Sequence, residues 1–445
     1  MTSQISNEYD PSAYDPCSPD AKPAVEEHFA ELRQKCPVHH HRFSEDQLKQ
    51  LNDNPFVSGQ VDEMYSLTRY TDIEKCLMNP DLFLSAEGSG PERIRPPEGG
   101  GTLAWSDGDA HKRSRRIAQP SVSPKVIAPL VPMLQDRIDD LIDGLAAAGR
   151  ADIMKDFALP LTSGMLTYLL GMPLEKAEDV QEWAMAILSI WGGDDEAAKR
   201  GGNAMEAISE CVATWGQEQV AAVERGETEP NALTMLITTP DDKGAHFSHG
   251  EVVQAFAQMI AGGFESSATA IANGVYLFCT NPDERGKLQE RPELINTAVE
   301  EVLRYMAPIE GLVRTTSSEV SVGGVTMEEG TKVRAVFASA NMDEDVFTEP
   351  RRFKIDRDRS ELQKHMSFGK GVHTCIGNTL ARQEMKLAFT ALFNRIPTLD
   401  LDPDHQPTRN KVMVIHGFDY LPVKWDPATV LPRESASAPA GAERG

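Results

Sequence analysis

The segment Phe368-Gly369-Lys370-Gly371-Val372-His373-Thr374-Cys375-Ile376-Gly377 gathers the residue types best able to do chemistry in this chain of 445 residues. Its glycines let the backbone turn tightly and approach a flat ligand closely. Asn378-Thr379-Leu380-Ala381-Arg382 and a helical run through Phe389 follow, so Cys375 sits where a helix starts. There the positive end of the helix dipole and free N–H groups lower a thiol's pKa and favour the thiolate. A thiolate in that setting suits a metal ligand or a nucleophile. The alternatives are a small buried thiol acting as a hydrophobe and a thiol hydrolase with His373 as base. A histidine two residues away in an extended loop is awkward for a catalytic pair.

Four other constellations stand out. Glu301-Val302-Leu303-Arg304 places an acid and a base three apart, which by itself describes many solvated helix faces. In His111-Lys112-Arg113-Ser114-Arg115-Arg116, His111 and Arg115 are four apart and share a face. Ala261-Gly262-Gly263-Phe264-Glu265-Ser266-Ser267 puts two glycines and an acid–alcohol pair inside an apolar helix. That is costly, and it marks either a kink packed on a neighbour or a polar task. The run His39-His40-His41 is tempting as a metal site. Adjacent residues rarely converge on one ion without other ligands, so it reads as a polar surface segment.

Phe-Gly-x-Gly-x-His-x-Cys-x-Gly followed by Leu-Ala-Arg resembles the heme-binding signature of the cytochromes P-450. Glu301-x-x-Arg304, about 70 residues before the cysteine, and Pro350-x-x-Phe353-x-x-x-Arg357 match further elements of that family. The resemblance implies that Cys375 is the axial thiolate on the iron of heme b (iron protoporphyrin IX), a ligand that favours O–O cleavage. Phe368 and Gly369 would shield the sulfur and leave backbone donors to tune it. Glu301, Arg304 and Arg357 would form a buried structural network on the cysteine side. His111, Arg115, Arg314 and His373 would bind the heme propionates, a task suited to Arg–carboxylate pairing. Trp105 departs from the family's usual residues and has no assigned role.

The same resemblance makes Glu265 and Ser266 the pair that relays protons to O2. The family usually has threonine where this chain has Ser266, so the hydroxyl survives and the stiffening methyl does not. Proton delivery should persist with more loss to peroxide, and Ser267 or water must substitute if Ser266 points away. Ala261, Phe264, Ile309, Leu312 and Ile415 should line the substrate pocket. They are mostly apolar, which implies a small hydrophobic substrate held by shape, with a terpenoid-like compact ring as the first expectation.

Leu421-Pro422-Val423-Lys424-Trp425-Asp426-Pro427-Ala428-Thr429 and Gln289-Glu290-Arg291-Pro292-Glu293 look like the bacterial camphor-hydroxylase branch. That branch implies a monooxygenase fed by an iron–sulfur ferredoxin and an NAD(P)H-dependent ferredoxin reductase. An acidic ferredoxin would dock on basic residues such as Lys370, Arg382 and Arg116. The alternatives are a peroxide-using or isomerising heme-thiolate enzyme, and a non-catalytic sensor of heme or a hydrophobic ligand. The Glu265–Ser266 pair speaks against the first.

The elements that must position these residues are mainly helical. Val253 to Thr280 reads as one long buried helix, opened by a capping box at Ser248 and Glu251 and closed at Asn281-Pro282. Asp136 to Ala148 carries Ile138, Leu141, Ile142 and Leu145 on one face. Glu319–Val322 and Lys332–Phe337 read as the two strands of a hairpin, and Val412–Ile415 as a further strand. Residues 182–217, with Trp183, Trp191 and Gly192-Gly193, read as a lid with mobile hinges. The expected fold class is mainly α: a single large helical cytochrome P-450 fold with a minor β-sheet region. Residues 1–22 read as a flexible N-terminal segment, 23–431 as the heme-binding monooxygenase domain and 432–445 as a disordered tail.

Composition agrees with a globular enzyme, at 40% hydrophobic and 25% charged residues. A net charge of -24 argues against a nucleic-acid partner and a basic membrane surface. The N-terminus lacks a basic start and an apolar run, and no 18-residue apolar stretch occurs. The six cysteines, Cys17, Cys36, Cys76, Cys211, Cys279 and Cys375, lie far apart, as reduced thiols in a cytoplasmic protein do.

Overall fold

A computed structural model describes residues 14–18, 25–52, 57–59, 61–94, 103–190 and 195–433. The stretch Pro96–Gly101, the proposed hinge residues Trp191, Gly192 and Gly193, and residues 434–445 of the tail lie outside the described residues. Of the N-terminal segment, residues 14–18 pack on the fold, with Tyr14 buried.

The organising element is a central helix of 32 residues, His249–Thr280. Its first turn is closed by the capping box: Glu251 N donates to Ser248 Oγ at 3.3 Å and Ser248 N to Glu251 Oε2 at 2.7 Å. It ends at Asn281, before Pro282 starts the next helix. At ~1.5 Å per residue it runs about 48 Å, and from Ser267 to Val275 every residue is buried. Helices Leu159–Leu169, Ala177–Ser189 and Asn378–Arg395 pack against it. The last of these comes very close: a Cβ at Gly274 would stand 2.1 Å from the Phe389 ring. Glycine is therefore required there, and burying Phe389 against it is worth about 2–3 kcal/mol.

Helix Val131–Leu145 carries the stripe expected from its spacing, with Leu134, Ile138 and Ile142 buried. Helices Ala177–Ser189 and Asp195–Cys211, in the expected lid region, pack on each other and on the central helix.

The β-structure is minor. Its main sheet has five short strands in the order Val38–Arg42, Glu63–Leu67, Lys332–Ala335, Leu312–Thr316, Phe83–Leu84. Two strand expectations are corrected. Val320–Val322 pairs with Val325–Met327, not with Lys332–Ala335. Gly323 and Gly324 both have positive φ, 57° and 83°, which suits the two-residue turn of a tight hairpin. Lys332–Ala335 instead runs parallel to Glu63–Leu67 and antiparallel to Leu312–Thr316. Residues 412–415 form a turn rather than a strand, touching the rest of the sheet structure through one bridge, Ile309 to Ile415. A short apolar run cannot by itself distinguish a strand from a buried turn.

Among the described residues, no helix is long and apolar enough to cross a membrane.

Candidate active site

The cysteine loop is built by its own backbone and clamped from three sides. Gly369 and Gly371 adopt φ of 67° and 72°, and a Cβ at Gly371 would lie 2.5 Å from the Leu77 carbonyl oxygen. Only glycine meets both demands at that second position. Cys375 N donates to Phe368 O at 2.8 Å, closing the loop on itself. Arg115, on the helix Gly108–Ala118, donates Nη1 to the carbonyls of Val372 and Thr374 at 2.9 and 2.7 Å.

The second clamp starts at Glu301, on the helix Ile295–Tyr305. Glu301 receives Arg304 Nε and Nη2 at 2.7 and 2.9 Å and Arg357 Nε at 3.0 Å, and all three residues are buried. Backbone Lys354 N adds a further bond to Glu301 Oε1 at 2.9 Å. Arg304 Nη1 then donates to Asn341 O at 2.9 Å, while Asn341 Oδ1 accepts Met366 N at 2.6 Å and its Nδ2 donates to Ser367 Oγ at 2.8 Å. The network thus ends on the two residues that precede Phe368.

The third clamp covers Phe368 itself. The Arg382 guanidinium lies 4.4 Å from the ring centre. Glu300 holds Arg382 with bonds of 2.6 and 3.0 Å and contacts His365 Nε2 at 2.8 Å. Against desolvation, which would raise it, His365 and Arg382 hold the Glu300 carboxyl down at about 2.

Cys375 is surface-accessible, yet protein crowds its remaining sides. Desolvation is the largest influence on its thiol and leaves its pKa raised. The N–H groups of Gly377 and Asn378, at the start of helix Asn378–Arg395, and the charges of Arg115 and Arg382 pull the other way. The helix-end donors lower the thiol as the sequence leads one to expect, and burial outweighs them.

Beside the loop, the rings of His111 and His373 lie with centroids 4.0 Å apart. Nε2 of each is buried and has no hydrogen-bond partner. Desolvation, then His373 and Arg115, push the His111 pKa down to about 4. Asp107 Oδ1 stands 3.6 Å from His373 Nε2, beyond hydrogen-bond reach, and accepts Ser85 N, while Asp107 Oδ2 accepts Ala86 N. Arg314 is buried, donates Nη1 only to Val313 O at 2.9 Å, and has no carboxylate at ion-pair distance among the described residues. Two orphaned imidazole nitrogens and an uncompensated guanidinium are the donors that a planar ligand bearing carboxylates needs. With an accessible sulfur and a glycine-bared loop alongside, they fit heme b.

On the central helix, Ala261, Gly262, Glu265 and Ser266 form a less buried strip three and four residues apart. Ser266 Oγ donates to Gly262 O at 2.7 Å, which leaves its lone pairs able to accept. Burial, and then Asp419, raise the Glu265 carboxyl above its ordinary range. Asn410 Nδ2 reaches Glu265 Oε1 at 3.4 Å and Asp419 Oδ1 at 2.7 Å, linking the two acids. Ile309 and Ile415 meet in a β-bridge, and Leu312 begins the strand beyond them. Phe264 is packed into the main core, so it backs the strip and does not narrow it.

Sequence reasoning missed several residues. Glu384, on helix Asn378–Arg395, is buried against Ser267, and desolvation pushes its carboxyl up to about 8 despite that hydrogen bond. Asp107, Asn341, Glu300 and Asn410 were also missed. Glu300 adjoins the Glu-x-x-Arg element and Glu384 follows Arg382 by two residues, while Asn341 and Asn410 stand in no motif. Trp105 donates Nε1 to Ser89 Oγ at 3.2 Å. The three expected docking cations are all paired: Lys370 with Glu74, Arg382 with Glu300 and Arg116 with Asp242. Lys370, Arg382 and Arg359 nonetheless line one depression of about 650 Å³ beside the cysteine loop, against the single acid Glu300.

Comparison with known proteins agrees with this geometry. The family model of cytochrome P450 matches residues 57–415. The chain is 30% identical over 406 residues to 6-deoxyerythronolide B hydroxylase of Saccharopolyspora erythraea, covering 89% of this chain and 95% of that protein. It is 31% identical over 372 residues to vitamin D(3) 25-hydroxylase of Pseudonocardia autotrophica, covering 82% and 88%. The solved structure of cytochrome P450 PksS, of the Bacillus subtilis 168 bacillaene polyketide synthase, matches with a TM-score of 0.79. That match covers 93% of this chain and 99% of PksS at 23% identity, a likeness of fold.

Proposed function

The chain belongs to the cytochrome P450 family, a monooxygenase with heme b as cofactor, and on that premise we propose that it hydroxylates a small hydrophobic substrate using O2 and electrons from an iron–sulfur ferredoxin and its NAD(P)H-dependent reductase. The observation that carries this reading is the accessible Cys375 sulfur beside the unpartnered Nε2 atoms of His111 and His373.

When bound, the heme supplies a thiolate-ligated iron at which O2 is activated. Cys375 would be its metal ligand. His111, Arg115, Arg314 and His373 would hold its carboxylates, and Arg115 also fixes the loop through the carbonyls of Val372 and Thr374. Phe368 is pinned by Arg382 at the start of the cysteine loop. Burial raises the Glu265 carboxyl, and Asn410 Nδ2, shared with Asp419, holds it in place as the group that takes up and gives back a proton. Ser266, fixed by Gly262 O, presents its hydroxyl oxygen to the reaction space.

Ala261, Ile309, Leu312 and Ile415 give the substrate an apolar wall, which favours a compact terpenoid-like ring. The substrates after which two relatives are named, 6-deoxyerythronolide B and vitamin D(3), widen the screen to larger apolar molecules. The basic excess lining the depression beside the cysteine loop supports docking of an acidic ferredoxin there. The scattered cysteines support a cytoplasmic enzyme.

Two measurements test the reading. A ligand screen by the low-to-high-spin shift identifies substrates, and turnover with ferredoxin, reductase and NAD(P)H follows. Hydroxylated product coupled to NAD(P)H consumption is expected. No product under any electron supply would overturn it.

A further inference from the structure

We propose that Asp15, Cys17 and His41 form a binding site for a divalent metal ion of the zinc type, built from residues that take no part in the cysteine site. Their ligand atoms all lie within 4.8 Å of one another. His41 Nε2 stands 3.3 Å from Asp15 Oδ1, and the His41 side chain is only 10% exposed. That nitrogen is buried with no hydrogen-bond partner. In a tetrahedral zinc site with bonds of ~2.0–2.3 Å, the ligand atoms sit roughly 3.3–3.8 Å apart. The imidazole–carboxylate edge already has that length, and the Cys17 sulfur lies within 4.8 Å of both.

The strand Val38–Arg42 explains why one histidine of three is available. Side chains alternate along a strand, so His39 and His41 share a face and His40 points away. His40 stacks on Tyr65 at 4.6 Å and contacts Glu63 at 2.9 Å. His39 is committed to the Tyr14 carbonyl at 3.0 Å. The polar surface segment expected from sequence is thus corrected: His39 is buried and His41 nearly so. The additional ligands that a histidine run needs come from a distant segment.

The surroundings are those of a prepared ligand set. Gln47 Nε2 donates to Asp15 Oδ2 at 2.9 Å and Cys17 N to Asp15 Oδ1 at 2.8 Å, orienting the carboxylate. Phe43 packs edge-on against the His41 ring at 5.2 Å. Cys17 is in no disulfide, and its Sγ lies 3.7 Å from Met413 Sδ. A thiolate with a neighbouring thioether selects a borderline-soft ion over magnesium or calcium. A bound ion would fasten residues 14–18 to the sheet edge and to the turn that carries Met413 and Ile415.

The test uses the full-length, heme-loaded protein, stripped of loose metal with a chelator and titrated with zinc by calorimetry. Elemental analysis counts zinc against heme iron. The parent should take up one tight equivalent of zinc and melt at a higher temperature with it. C17S and H41Q should each weaken zinc by more than the ~10–100-fold that loss of an outer partner costs. Their unchanged heme spectra would show that they are folded. A parent that binds no zinc at micromolar concentration overturns the proposal, and so does parent-like affinity in either folded variant.

Discussion

The imidazole rings of His111 and His373 lie 4.0 Å apart, and Nε2 of each is buried without a hydrogen-bond partner. Their backbones come from different elements, the helix Gly108–Ala118 and the loop ahead of Cys375. Two such donors side by side are the strongest sign that an anionic group belongs between these elements. Charge-assisted hydrogen bonds are worth about 1.5–3 kcal/mol each. H111F should therefore weaken heme retention roughly 10- to 100-fold, read as faster heme transfer to an apoprotein acceptor. Unchanged transfer would remove His111 from the heme contacts.

Ser266 donates to Gly262 O, which fixes its hydroxyl without a β-methyl to stiffen it. S266A should lower product formed per NAD(P)H by up to roughly 100-fold, the lower end of what a positioned proton donor supplies. Peroxide should rise in proportion. S266T should do the reverse and couple better than the parent. Equal peroxide yields in all three proteins would show that another group delivers the proton.

Glu301 is the only carboxylate bonded to both Arg304 and Arg357 among the described residues. E301A leaves the buried Arg304 guanidinium without a carboxylate and Arg357 with Glu361 alone, a loss of about 3–5 kcal/mol. Denaturant unfolding should show that loss, and the cysteine loop should lose heme early, because Arg304 reaches Met366 and Ser367 through Asn341. A variant as stable as the parent would contradict the clamp.

Glu384 gives a pH dependence with a defined sign. Its carboxyl titrates at about 8 in the fold, against 4.5 when unfolded. A raised carboxyl contributes stability that is complete below 4.5 and is lost as pH rises through 8. E384Q stays neutral throughout. It should match the parent at pH near 4.5 and exceed it by a few kcal/mol near pH 8. Melting curves at both values check this, and an equal difference at both would refute it.

The parts of the site legible in sequence are those whose partners are close along the chain. Cys375 with its glycines, Glu301 with Arg304, and Ser248 with Glu251 are local patterns with local consequences. Asn341, Asp107 and Glu300 act on residues far away in the chain, and no spacing records that. The sheet shows the same division. Gly323-Gly324 was readable as a turn, but Lys332–Ala335 pairs with strands at Glu63–Leu67 and Leu312–Thr316, partners set by the packed core. Electrostatics were least legible, because desolvation of Cys375 depends on everything around it.

The central claim is that Cys375 is the thiolate ligand of heme iron. The reduced, carbon-monoxide difference spectrum tests it most directly. The parent should show the red-shifted band of thiolate-ligated heme, and C375S should bind heme but lose that band. A heme-loaded parent without the band, or a C375S variant that keeps it, would contradict the account.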